Sequence, residues 1–130
     1  MSISYAVILE KFAERHYTSK FKKKYKGAWD ATWVAIQEEF KRFDALLGSK
    51  IAETITNNGS IRICKTEFRV HGTEESRHAS GNRCIVVVHN DTCVVNVLFI
   101  YNKSYLGDHN ETAAWQGLIK ENYPQYSKII

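Results

Sequence analysis

The 130-residue sequence predicts an α+β fold, a small twisted antiparallel sheet with two N-terminal helices and one C-terminal helix. Three observations predict it. Apolar residues recur at spacings of three and four as far as Leu47, the period changes to two after Ser60, and two apolar runs, "RCIVVVHN" and "CVVNVLFIY", flank a short polar turn. Helices gathered on one face of a small antiparallel sheet are the layer arrangement that such an order favours.

The elements follow in chain order. "ISYAVIL" at 3–9 is short, apolar and rich in β-branched residues, and predicts a first strand. Glu10 to Tyr17 leads into a helix from about Thr18 to Tyr25, with Phe21 and Tyr25 four apart and Gly27 as the stop. Trp29, Trp33, Ile36, Phe40, Phe43 and Leu47 then form the stripe of one amphipathic helix, ended by Gly48. The same tryptophans have a second reading as a base-stacking platform, but aromatic residues at helical spacing are more often core. Residues 49–56 read as a helical turn or coil and "TNNGS" at 56–60 as a turn.

In "IRICKTEFRV", 61–70, Lys65, Glu67 and Arg69 alternate with Cys64, Thr66, Phe68 and Val70, so one face is charged and the other apolar. "GTEESRHASGN", 72–82, is polar with glycine near both ends, and predicts a loop between strands. The runs at 83–90 and 93–101 are apolar on both faces, as central strands are, with Asn90-Asp91-Thr92 as their hairpin turn. Asn110 to Asn122 places Ala113, Ala114, Leu118 and Ile119 at helical spacing under an Asn110 or Thr112 cap, and Pro124 limits continuation.

Composition bounds the rest. With 44% hydrophobic residues, a single proline and no Ser/Gly/Pro tract, residues 1–130 are expected to form one domain. No segment approaches the roughly 18 apolar residues that cross a bilayer, and no basic leader precedes an apolar run, so a soluble cytoplasmic protein without a membrane partner is expected. Cys64, Cys84 and Cys93 lack the spacing of a zinc site and read as reduced core thiols; no metal or cofactor is expected. The net charge is +4, and Lys20, Lys22, Lys23, Lys24 and Lys26 crowd one stretch without an acid. Such a run is either a solvated helix face or a contact for a phosphate backbone.

Taken in order, "EF" at 67–68, the loop containing Ser76-Arg77, "ASGNR", the apolar hairpin and "IYNK" before a final helix resemble the RelE/ParE superfamily of small toxins from type II toxin–antitoxin pairs. The likeness runs from Phe12 to about Tyr123 and is nearest to the RelE and HigB type, in which Gly-x-Arg opens a central strand and Tyr-x-Lys closes the next. The resemblance implies a twisted antiparallel sheet with two N-terminal helices, cleavage of messenger RNA on the ribosome without a metal, and a cognate antitoxin as partner. By position Arg83 matches the Gly-x-Arg arginine and Lys103 the basic residue of Tyr-x-Lys. Lys65 and Arg69 fall on the strand where such toxins carry basic residues, and Arg77 falls in the loop that approaches RNA. Asn82 stands where many members have an aromatic residue, and no equivalent is found of the C-terminal tyrosine that some use.

Cleaving RNA without a metal needs a base for the 2′-hydroxyl, stabilisation of the pentavalent phosphate and an acid for the leaving 5′-oxygen. Arg83 and Arg69 suit the phosphate, since a guanidinium donates to two oxygens and keeps its charge. Lys65 or Lys103 suits proton transfer if neighbouring cations lower its pKa, and His78 or His71 titrates closer to neutrality. The candidate catalytic set is therefore Lys65, Arg69, Arg83 and Lys103. Arg77, His78, Tyr101, Lys22 and Lys23 are the candidate RNA contacts. The bland alternative pairs Arg83 with Glu67 or Glu74, leaves Lys103 solvated, and makes Tyr101 a core or rim aromatic and His89 a core histidine. Two other functions share the fold: a ParE-like inhibitor of DNA gyrase, and a non-catalytic member that binds RNA or protein.

Overall fold

The computed structural model describes residues 4–106 and 110–129. Ile3 and Ile130, at the ends of the expected first strand and of the C-terminal segment, lie outside the described residues. The strands are β1 (Ala6–Leu9), β2 (Ala52–Asn57), β3 (Ile61–Glu67), β4 (Asn82–His89) and β5 (Val94–Asn102), in spatial order β1-β5-β4-β3-β2. Helices α1 (Lys11–Ala13), α2 (Ser19–Tyr25), α3 (Gly27–Phe40) and α4 (Phe43–Leu47) precede β2, α5 (Arg77–Ser80) precedes β4, and α6 (Glu111–Asn122) follows β5. The α+β class stands, but among the described residues four α-helices precede β2 where two were expected.

β4 is the strand on which the rest is built. Its residues Asn82 to Val88 are all buried, and it pairs antiparallel with β3 on one side and β5 on the other. Being apolar on both faces, it requires a cover on each. Phe21, Trp29, Ile36, Phe40 and Phe43 from α2 to α4 cover the face carrying Cys84, Val86 and Val88. Trp115, Ile119, Tyr123 and Tyr126 cover the face carrying Ile85, Val87 and Phe99. The helices are thus shared between two faces and not gathered on one. Trp29 is 1% exposed, and Trp33 is half-buried against the same cluster with its ring 6.4 Å from that of Trp29, so these two tryptophans pack into the core rather than forming a stacking platform.

Other departures have local causes. β1 pairs parallel with β5, Ala6 opposite Val94, so the sheet is antiparallel in its other pairings only. Residues 52–57 form a strand because the β-branched Thr54 and Thr56 pair with β3 on either side of a bulge at Ile55, and the Asn58-Gly59 turn closes the hairpin with Gly59 at φ +98°. The stripe from Trp29 to Leu47 is two helices. The Tyr5 N–H donates to the Lys41 carbonyl at 2.9 Å, and Ala45 N–H turns instead to the Arg42 carbonyl at 3.0 Å, which breaks the i to i−4 ladder. Lys26, at φ 50°, makes the reversal expected at Gly27, and Gly27 opens α3. A π-helical segment, Glu14–Thr18, joins α1 to α2.

β3 ends at Glu67, three residues early, although Phe68 and Val70 stay buried. Part of the expected loop 72–82 is helical: Ser76 caps α5 by accepting from Ala79 N–H at 3.1 Å. Asn110 caps α6 in the same way. Pro124 opens a 3₁₀ turn, Pro124–Ile129, whose Tyr126 hydroxyl lies 3.3 Å from His89 Nε2. Since Ile119 is fully buried against the sheet, Ile119→Ala is expected to cost about 2 to 5 kcal/mol in urea denaturation. A loss under about 1 kcal/mol would mean that α6 is only appended to the sheet.

Candidate functional site

Glu67, Arg83 and Tyr101 stand opposite one another on β3, β4 and β5, forming one row across the end of the sheet. Lys65 is one step inward on the same face, opposite Ile85. The alternation of side chains turns all four toward α6. The row is held in register by the turn before β4. Gly81 takes φ +75°, and a Cβ there would lie 3.3 Å from Asn102 Nδ2 and from Lys103 Cγ. Lys103 N–H donates to the Gly81 carbonyl at 2.8 Å, and Asn102 Nδ2 donates to Ser80 O and Asn82 Oδ1, each at 2.9 Å. The Gly-Asn-Arg motif is therefore a backbone lock: glycine for the left-handed turn, Asn82 for the clasp on β5.

Arg83 is 3% exposed. Its Nη1 donates to the Asn82 carbonyl at 3.1 Å, its Nη2 to the His78 carbonyl at 3.3 Å, and Nη1 lies 3.9 Å from Glu67 Oε2. Nε is buried and unpartnered. The pairing with Glu67 is one that the alternation of β3 allowed. Above it, Glu67 meets His78, whose Nδ1 is 3.1 and 3.2 Å from the two carboxylate oxygens while the ring itself is exposed.

Lys65 Nζ is 3.7 Å from Glu53 Oε2 and 3.9 Å from Glu111 Oε2. Glu111, in the first turn of α6, accepts the Tyr101 hydroxyl at 2.6 Å. Tyr101 is 1% exposed and part of the α6-side core. Burial, and then the carboxylate beside it, push its phenol well above the ordinary value. The same desolvation lifts Cys84 to about 12 and Cys64 to about 11, in line with inert core thiols.

The remaining candidates are spread around this end. Arg77 turns inward, with Nη2 donating to Glu39 Oε1 at 2.7 Å, Nη1 to Oε2 at 3.0 Å, and Nη1 also reaching the Glu67 carbonyl at 3.3 Å. It straps α5 onto α3. Arg69 is exposed beside α3 and lines a cleft of about 390 Å³ with Thr32, Glu39, His71 and Arg77, apart from the row. Lys103 is exposed and lines a second cleft of about 390 Å³ with Ala79, Gly81, Ser104 and Glu111. Lys22 and Lys23 are exposed on α2. That helix borders the same end of the sheet, since Lys20 Nζ lies 4.8 Å from the centre of the Tyr105 ring, two residues beyond Lys103.

The structure thus brings Lys65, Arg83, Tyr101 and His78 together, with Lys103 at the rim, and leaves Arg69 and the α2 lysines outside. Among the carboxylates, Glu67 was anticipated only as the bland partner of Arg83, on the charged face of β3 that it shares with Lys65; Glu111 was missed, having only its place at a helix start. Among the described residues, no group of three His, Cys, Asp or Glu side chains comes together as a metal site.

No family model matches the chain, and no curated protein matches it. Among solved structures, it is similar to the archaeal RelE–RelB complex from Pyrococcus horikoshii OT3, with a TM-score of 0.54 and 12% identity over 82% of this chain and 99% of that one. The fold is RelE-like. That likeness extends to nearly the whole of the compared chain.

Because its phenol is raised in the folded state, Tyr101 contributes stability that is complete below the unfolded value of 10.0 and is lost as pH climbs beyond it. Tyr101→Phe is expected to cost about 1 to 3 kcal/mol at neutral pH, since Glu111 loses its donor. Urea midpoints compared at about pH 8 and about pH 11 should fall further for the wild type than for the variant. Equal falls would contradict this account of the Tyr101 hydroxyl.

Proposed function

We propose that this chain is the toxin of a toxin–antitoxin pair, acting in the cytoplasm as a metal-independent, ribosome-dependent endoribonuclease that cuts messenger RNA and halts translation. The observation that carries the reading is the assembly of Lys65, Glu67, Arg83, Tyr101, His78 and Lys103 at one end of a RelE-like sheet. The RelE of the similar structure was crystallised as a complex with RelB, which supports a cognate antitoxin as partner here. No described helix is long and apolar enough to cross a membrane, which agrees with the proposed location.

In-line cleavage joins O2′ to phosphorus and releases O5′, leaving a 2′,3′-cyclic phosphate and a 5′-hydroxyl. Lys103, exposed at the rim, meets the phosphate oxygens whose charge grows in the transition state. Arg83 contributes positive potential from within the row, and Lys65 does so from one step inward of it. Tyr101 backs the site as a rigid wall. Arg69, Lys22 and Lys23, exposed outside the row, extend the positive surface along which the RNA backbone runs, the α2 lysines being joined to the site through Lys20 and Tyr105, while Arg77 is held back by Glu39.

A second reading is favoured by one observation. Arg83, Arg77 and Lys65 already face Glu67, Glu39 and the Glu53/Glu111 pair. A surface so neutralised suits a member without catalysis, either a gyrase inhibitor or a binding module.

Brief induction of the chain in bacteria, followed by mapping of new messenger RNA 5′ ends, separates these readings. Ends phased to codons in the ribosomal A site are expected. Arrested growth with intact messages and altered DNA supercoiling would move the assignment to gyrase. In a ribosome-programmed cleavage assay, Lys103→Ala is expected to lower the rate by about 10² to 10³. Its urea midpoint should barely move, because the side chain is exposed.

A further inference from the structure

The Glu67 to His78 contact determines which imidazole nitrogen carries the proton, and with it what the ring can do. A carboxylate only accepts hydrogen bonds, so the 3.1 and 3.2 Å approaches of Nδ1 to its two oxygens require the hydrogen on Nδ1. In the neutral ring Nε2 then bears the lone pair. The imidazole is 83% exposed, and the described residues give Nε2 no hydrogen-bond partner. We propose that His78 is the general base of the RNA-cleaving site, held by Glu67 as its Nδ1–H tautomer with Nε2 open to the 2′-hydroxyl. This rests on the nuclease reading given above.

The supports of the pair are independent of substrate. Arg83 Nη1 stands 3.9 Å from Glu67 Oε2 on one side, and its Nη2 bonds the His78 carbonyl at 3.3 Å on the other, so one buried guanidinium spans both partners. The Ser76 cap fixes the first turn of α5, and the Gly81 N–H meets the His78 carbonyl at 3.4 Å. The charged groups around His78 are Glu67 from β3, Arg83 from β4, and Arg77 of α5 itself, which is occupied by Glu39. Glu67 and Arg83 are positioning residues in this scheme. Of these three, His78 is the one that touches substrate.

The competing bases are less well placed. Lys65 directs its ammonium toward Glu53 and Glu111. His71 lies in the cleft beside α3, away from the row. The cleft lined by Ala79, Gly81, Lys103 and Glu111 takes part of its wall from α5, the helix that carries His78, and supplies room for a phosphate. In the step itself the 2′-hydroxyl proton passes to His78 Nε2, the O2′–P bond forms, and the P–O5′ bond breaks with its electron pair on O5′, which takes a proton from water. Solvent then removes the proton from the imidazolium.

Two measurements on the full chain test this. Nitrogen-15 NMR of the wild type at about pH 8, with the His78 signals assigned by their loss in His78→Gln, should show hydrogen on Nδ1, and Glu67→Gln should shift the ring toward Nε2–H. A wild-type ring with hydrogen on Nε2 overturns the proposal. In the ribosome-programmed cleavage assay, His78→Gln should lower kcat by about 100-fold or more with KM unchanged, whereas His71→Gln should leave both as they were. Full activity in His78→Gln overturns the base assignment while the nuclease reading stands. A wild type that keeps the Nδ1–H pattern but cuts no message overturns both, and marks the nuclease reading as the point of failure.

Discussion

A strand buried on both faces is the constraint from which the other features follow. β4 carries seven consecutive buried residues, so neither of its faces can meet water. One face is roofed by the helices that precede β2, the other by α6 and the C-terminal turn, and the chain therefore has to pass from one side of the sheet to the other. With β3 and β5 hydrogen-bonded at its flanks, β4 is held along both edges as well as on both faces. A rigid strand is a good mount for chemistry only at its ends, where side chains escape the two roofs.

Arg83 is the side chain at that end, and it is a buried cation rather than an open one. Burying a guanidinium is tolerable because carbonyls and a carboxylate surround it, and its unpartnered Nε marks what the arrangement leaves unsatisfied. The opposing carboxylates give this end of the sheet a mixed character. Glu67, Glu111 and Glu39 each hold a basic residue in one orientation, so the positive groups are fixed before any anion arrives. Pre-ordering of this kind reduces the entropy lost on binding and also reduces the field that attracts a polyanion.

Much of this was legible in residue order, and the illegible parts share a cause. The double burial of β4 and β5 could be read from runs of Val, Ile and Leu without alternation, and the N-cap of α6 from Asn110. The break between α3 and α4 could not be read, because Phe40 and Phe43 keep helical spacing across it; the interruption comes from a hydrogen bond between Tyr5 and Lys41, groups far apart in sequence. The strand at 52–57 was masked by its mixed polar composition, which is ordinary for a sheet edge. At the site, basic residues were conspicuous and their carboxylate partners were not, since an ion pair between strands leaves no local spacing to recognise. Arg77 had the look of an RNA contact in a polar loop until Glu39, on α3, was seen to hold it.

The parallel pairing of β1 with β5 bears on how the molecule is made. Ala6 finds Val94, so the first strand waits for the fifth before it can pair. Closing so long a loop is slow and is rewarded late, when hairpins β2 to β5 already offer a template. A nascent chain therefore carries its lysine-rich helix into solvent before it carries an assembled sheet end. During synthesis the polypeptide is a cation before it has the row of Glu67, Arg83 and Tyr101, which comes into being only once β5 has paired with β4.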